Sequence, residues 1–265
     1  MISRFIPLNT ILLLAIITLF TACSSVSQNT DKAHINQKVF VTHDDPMGQV
    51  QSTLDLAQLN NKLALVVLGA QWCHDSLGLV KQFQTTKMQS ILQENYEITY
   101  VDVGFFQDHR NITQRFGQAH YFATPTVLII DPKSEQLLNG DSLHKWGAAD
   151  SVPKDEYLSY FGSFDANNVS IAKTVSTEQQ TIISQFEQLQ SQRLMTAYLY
   201  LSPELEKDVN RPKGTDYDPE FVKRWREVRA FRIKLQQDIM QLYAQARLKP
   251  TAMLEIPEYQ RFSWE

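Results

Sequence analysis

The chain has 265 residues, of which 43% are hydrophobic and 20% charged, enough to bury a core across one or two domains. This balance excludes disordered, collagen-like and disulfide-dense classes. With only two cysteines, Cys23 and Cys73, a multi-disulfide scaffold and a four-cysteine metal site are excluded, and a net charge of −4 leaves no electrostatic footprint for nucleic acid.

Arg4 precedes the apolar run Ile11–Phe20, which is too short to span a bilayer but suited to the core of a signal peptide. The run ends in Phe20-Thr21-Ala22-Cys23, which resembles a bacterial lipobox with phenylalanine in the usual leucine place. The resemblance implies cleavage after residue 22 and a lipid on Cys23; a plain cleaved leader with an incidental cysteine is the other reading. Ser24 in place of aspartate after the lipidated cysteine implies an outer-membrane anchor facing the periplasm. Residues 24 to about 34 are polar and aperiodic, so 23–44 is expected to be a flexible tether.

Asp45-Pro46-Met47-Gly48 signals a turn, and residues 49–61 suggest a helix. Leu63–Leu68 is a continuous apolar run, the pattern of a strand buried on both faces. Gly69-Ala70-Gln71-Trp72 turns the chain into a helix that begins near Cys73 and carries Leu77, Leu79, Val80 and Phe83. Ile98–Val103 and Thr126–Ile130 read as further strands, Asn111–Phe116 as a short helix, and Glu135–Leu138 as a returning hairpin strand. Val152–Phe161 closes the unit as a helix stopped by Gly162. This order predicts an α/β domain with a mixed sheet over 45–162.

Residues 162–168 read as a linker. Ser176-Thr177-Glu178-Gln179 has the spacing of a capping box, and the apolar stripe after it predicts a helix. Pro203 marks a break, with a short helix running on to about Val209. Asp218-Pro219 starts another helix, on which Phe221, Trp225, Val228, Leu235, Ile239 and Leu242 share one face. Region 163–265 is therefore predicted to be helical, an antiparallel hairpin. In its basic stretch, residues 223–234, Arg232 lies along the apolar face and is expected to snorkel to solvent.

The chemistry concentrates at Trp72-Cys73-His74-Asp75-Ser76. A cysteine at a helix start meets free N–H groups and the positive end of the dipole, which favour thiolate over thiol. Ser76, one turn on, is expected to donate a hydrogen bond to the sulfur, and a protonated His74 would add positive charge. The segment Ala64–Cys73, then Val101-Asp102-Val103-Gly104, Arg115-Phe116-Gly117, Ala123-Thr124-Pro125-Thr126 and Lys145-Trp146-Gly147, is similar to the thioredoxin-like fold family in order and spacing. The resemblance covers roughly residues 45–161. It implies that Thr124-Pro125 is the cis-proline loop facing Cys73, and that Trp72, Thr124 and Pro125 contact substrate.

The departures from the family are as informative. Cys-x-x-Cys is replaced by Cys73-His74-Asp75-Ser76, and Val67 stands where many members place a buried acid. The internal dithiol cycle is absent, which leaves monothiol exchange or isomerisation with protein or small-molecule thiols and disulfides. The other reading is a non-catalytic binding module of the envelope, with the helical region as partner surface. Cys73, His74, His109 and His120 do not form a metal-ligand pattern, and no cofactor is expected.

Overall fold

A computed structural model describes residues 38–164 and 175–265. The expected leader, Cys23, most of the tether and most of the 162–168 linker lie outside the described residues. Among the described residues no helix is long and apolar enough to cross a membrane.

Helix α1 (Pro46–Asn60) begins three residues before the expected 49 and takes in the expected turn: the Asp45 carboxylate accepts the Gly48 N–H at 2.8 Å, and Pro46 fills the first turn. Strand β1 (Leu63–Gly69) follows, then α2 (His74–Phe83) and α3 (Thr86–Asn95), strand β2 (Tyr96–Asp102), the short α4 (Arg110–Arg115) and strand β3 (Thr126–Ile130). Two short 3-10 turns flank α5 (Leu143–Trp146), and α6 (Lys154–Gly162) closes this part. Two long helices complete the chain, α7 (Thr177–Val209) and α8 (Pro219–Leu248).

The sheet order is β2-β1-β3. β2 runs parallel to β1, with Leu63 opposite Tyr96, and β3 runs antiparallel to it, with Leu68 opposite Thr126. The apolar run thus occupies the central strand. Its side chains alternate between two cores, as the period of a strand requires. Ala64, Val66 and Leu68 face a core shared with α1, α7 and α8, while Leu65 and Val67 face one built from α2, α3, α5 and α6. Val67 is buried in that second core, so no acid lies behind the cysteine at this position.

Several expectations change. The tether does not extend to residue 44: Phe40 is buried and packs edge-on to Tyr100 with ring centroids 5.6 Å apart. A Cβ on Gly69 would fall 2.5 Å from the Phe40 ring, so the end of β1 needs glycine to admit it. The hairpin strand 135–138 shrinks to a single bridge, Ile130–Leu137. Asn139 occupies that edge instead, accepting the Ile129 N–H and donating to the Val127 carbonyl, both at 2.8 Å. Helix α3 was not foreseen, because its apolar residues Met88, Ile91 and Leu92 are few among polar neighbours.

Helix α7 does not break at Pro203. Proline removes one donor, which would orphan the Leu199 carbonyl, but Leu199 is on the exposed side where water can replace that bond. On the opposite side Leu194, Tyr198, Leu201 and Leu205 stay buried in helical register through the proline. Helices α7 and α8 are antiparallel, since Glu204 pairs with Arg224, Tyr198 with Arg232 and Gln180 with Tyr243. The Asp218 carboxylate caps α8 by accepting the Glu220 N–H at 2.9 Å. The last residues return along the hairpin, where Arg193 lies 4.5 Å from the Phe262 ring and pairs with Glu265.

Burial raises the Glu187 carboxyl to about 7, against a smaller opposing effect of its hydrogen bond to Tyr243. A carboxyl with its folded value above its unfolded one favours folding where it is protonated, and that advantage is lost as pH rises from about 4.5 through 7. Glu187→Gln should therefore gain on the order of 2 kcal/mol of stability at pH 8 and almost nothing at pH 4. Urea unfolding at the two pH values checks this; a pH-independent difference refutes it.

Candidate functional site

Cys73 is the N-cap of α2, with extended backbone (φ −87°, ψ 119°). β1 delivers the chain to this point, and the Cys73 N–H closes a tight turn onto the Ala70 carbonyl at 3.1 Å. Cys73 is only 7% exposed and its thiol is free. Among the described residues, both hydrogen-bond partners of the sulfur come from Thr124. The thiol donates to the Thr124 carbonyl at 3.1 Å, and the Thr124 hydroxyl donates to Sγ at 3.3 Å. The Thr124–Pro125 peptide is cis. Strand order, cysteine at the helix start and cis proline thus sit where the resemblance placed them.

The other residues of the motif are arranged differently from expectation. Ser76 is fully buried, and its hydroxyl oxygen accepts the Ala70 N–H at 3.3 Å. Among the described residues it has no hydrogen bond to Cys73; it braces the turn that carries the cysteine. His74 swings outward, its side chain 80% exposed, and its ring Nε2 lies 3.2 Å from an Asp75 carboxylate oxygen. Asp75 in turn accepts the Asp150 N–H at 3.2 Å. Trp72 is held by its indole N–H, which donates to the Gly104 carbonyl at 2.7 Å, and by an edge-on contact with Phe106.

The sequence reading missed the residues that stand opposite the cysteine. Cys73, Trp72 and Thr124 open onto a cleft of about 480 Å³ whose far wall is α8, with Phe221, Trp225 and Arg232. Arg232 does not snorkel to solvent. It is 8% exposed and lies beneath the Trp225 ring, 5.4 Å from its centroid, with Nη1 donating to the Tyr198 hydroxyl at 3.3 Å. Tyr198 donates to the Phe122 carbonyl at 2.8 Å and stacks on Phe106 with centroids 4.1 Å apart. Burial raises the Tyr198 pKa against the opposing pull of Arg232, so the phenol is neutral. The signal available in the sequence was an arginine on the apolar stripe of α8, which reports burial as readily as snorkelling.

The histidines do not converge on the cysteine. His109 precedes α4 at its N-cap position without a side-chain capping bond, and its pKa is lowered by burial. His120 is buried among Tyr121, Phe122 and Tyr198, with Nδ1 2.8 Å from the Tyr121 carbonyl oxygen. Among the described residues no group of histidine, cysteine and carboxylate side chains could hold a metal ion.

No protein-family model matches the chain, and no curated protein matches it. Among solved structures, a disulphide isomerase from Xylella fastidiosa Temecula1 is similar over 48% of this chain and 96% of its own, at 21% identity and a TM-score of 0.43.

His120 supports a second prediction. Burial lowers its pKa from 6.5 to about 4, so the folded chain holds it neutral where the unfolded chain would protonate it. Its contribution is intact above pH 6.5 and is lost as pH falls toward 4, by about 3 kcal/mol at most. Replacing it by phenylalanine should flatten the slope of stability against pH across that window. Chemical denaturation at closely spaced pH values would show this, and an unchanged slope would contradict it.

Proposed function

We propose that this chain catalyses monothiol thiol–disulfide exchange or isomerisation through Cys73, anchored in a bacterial envelope by a lipid on Cys23 and facing the periplasm. The observation that carries the reading is the setting of the sulfur. It sits at the start of a ten-residue helix, between a hydroxyl donor and a carbonyl acceptor of one threonine, and opens onto an apolar-walled cleft. The anchor rests on the leader and on Phe20-Thr21-Ala22-Cys23.

The chemistry balances without a second cysteine. The Cys73 thiol gives its proton to solvent, and the thiolate attacks one sulfur of a disulfide. A bond forms between Cys73 and that sulfur, and the other sulfur leaves as a thiolate that takes up a proton. A second thiol, from substrate or another small molecule, then attacks the mixed disulfide and restores Cys73. No net oxidation falls on the protein. The Thr124 hydroxyl remains a donor to the thiolate and the positive end of the α2 dipole favours it, while the Thr124 carbonyl, which accepts from the thiol, favours the resting state. Ser76 and the Ala70 turn are positioning elements; His74 lies outside the sulfur's immediate surroundings and offers its charge at the rim.

A binding module is the second reading, favoured by the near-complete burial of the thiol. The two separate in one experiment. The chain is exposed to a small disulfide, and the adduct is followed by mass spectrometry before and after adding a thiol. Exchange predicts an adduct on Cys73, its release by thiol, and multiple turnovers that Cys73→Ala abolishes. Thr124→Val should slow adduct formation about tenfold, the loss of one charge-assisted hydrogen bond. An inert Cys73 in the folded chain would leave the binding module standing.

A further inference from the structure

The same cleft holds a feature that thiol exchange alone does not require. Arg232 is more than nine-tenths buried, yet among the described residues no carboxylate lies within ion-pair distance of it. Among the described residues its polar partner is the Tyr198 hydroxyl, and its buried Nε–H has no acceptor. Elsewhere on α8, Arg224 pairs with Glu204 at 2.7 Å and Lys234 with Asp238 at 2.7 Å, while its other unpaired cations such as Arg229 are exposed. The two acids that line the cleft are engaged elsewhere, Asp75 with His74 and the Asp150 N–H, and Asp208 with Arg211 at 3.6 Å. A buried, uncompensated guanidinium is costly unless an anion completes it.

We infer that the cleft is a binding site for a small thiol or disulfide carrying a carboxylate, with Arg232 as the anion's partner and Cys73 as the sulfur's. This deepens the proposed exchange reaction and rests on it for the sulfur chemistry, but not for anion binding. The volume, about 480 Å³, is that of a small-molecule site. Trp72, Phe221 and Trp225 supply apolar walls for the carbon chain, and Arg229 adds an exposed cation. The planar guanidinium offers a carboxylate two parallel donors. In the exchange step, Cys73 thiolate takes the sulfur of one half of such a disulfide, and the other half leaves as a carboxylated thiolate.

The test compares three disulfides at physiological ionic strength: dithiodiglycolate (anionic), hydroxyethyl disulfide (neutral) and cystamine (cationic). Each rate of adduct formation at Cys73 is divided by the rate with a free model thiol. The overall charge of −4 disfavours anions, so a preference for dithiodiglycolate reports a local site. The expected preference over the neutral reagent is about tenfold or more. Arg232→Gln should bring the ratio of the dithiodiglycolate rate to the hydroxyethyl disulfide rate down to about one, and Arg232→Lys should keep part of it. A change in thiolate formation would move all three rates together.

A second measurement is independent of reactivity and of the arginine variants. In Cys73→Ala, the thioether thiodiglycolate should bind by calorimetry and its neutral counterpart thiodiglycol should not. Binding of thiodiglycolate with an inert wild-type Cys73 keeps the anion site and removes exchange. Equal normalised rates with all three disulfides, or a preference that survives Arg232→Gln, overturns the anion site and leaves exchange intact. Absence of thiodiglycolate binding overturns it as well.

Discussion

Tyr198 is the joint on which the site depends. Its ring stacks on Phe106, its hydroxyl reaches the Phe122 carbonyl, and that same hydroxyl receives Arg232. Through this one fully buried side chain, α7 is seated on the loops that follow β2 and precede β3, and α8 is held across from the cysteine. Ser191 adds a second fastening by donating to the Ala119 carbonyl at 2.8 Å. A buried phenol with both its donor and acceptor capacity used tolerates little displacement. The α8 wall of the cleft is consequently as well placed as the sheet beneath it.

Much of the fold was legible because the physics was local. The run from Leu63 needed no partner to announce a central strand, and Thr126–Ile130 was read to its last residue. Cys73 at the start of α2 and Asp218 before Pro219 followed from the needs of helix ends. Reading failed where distant context decided. Helix α3 owes its place to Met88 and Leu92 on the second core, a contact invisible in so polar a segment. Pro203 was read as a break because its neighbours' exposure was unknown. Asn139 took over the sheet edge, satisfying two backbone groups that a hairpin strand would otherwise have covered.

The candidate site divides along the same line. Cys73, Trp72 and Thr124 were identifiable from order and spacing and meet at one cleft, and Pro125 supplies the cis peptide bond after Thr124. The spacing of one turn points Ser76 to the sulfur, but the buried Ala70 N–H of the tight turn competes for its oxygen and wins. His74 was close in sequence and turned away. Arg232 lies 159 positions from the cysteine, and nothing local says that its stripe faces a thiol. Side chains that meet across two folded regions are the part of a site that a single sequence reveals last.

The shared core of the sheet and the helical hairpin has a consequence for how molecules move in and out. Phe106, Ile112, Tyr121 and Phe122 form one apolar cluster with Tyr198, Leu201, Phe221 and Val228. Lifting the hairpin away to uncover Cys73 would wet all of these surfaces at once, a large cost on the scale of a protein's whole stability. With the hairpin in place, the sulfur is reached through the cleft between the Cys73 turn, Thr124 and α8. The hairpin is thus a fixed wall, and the width of the cleft beneath it sets the size of any molecule that can reach Cys73.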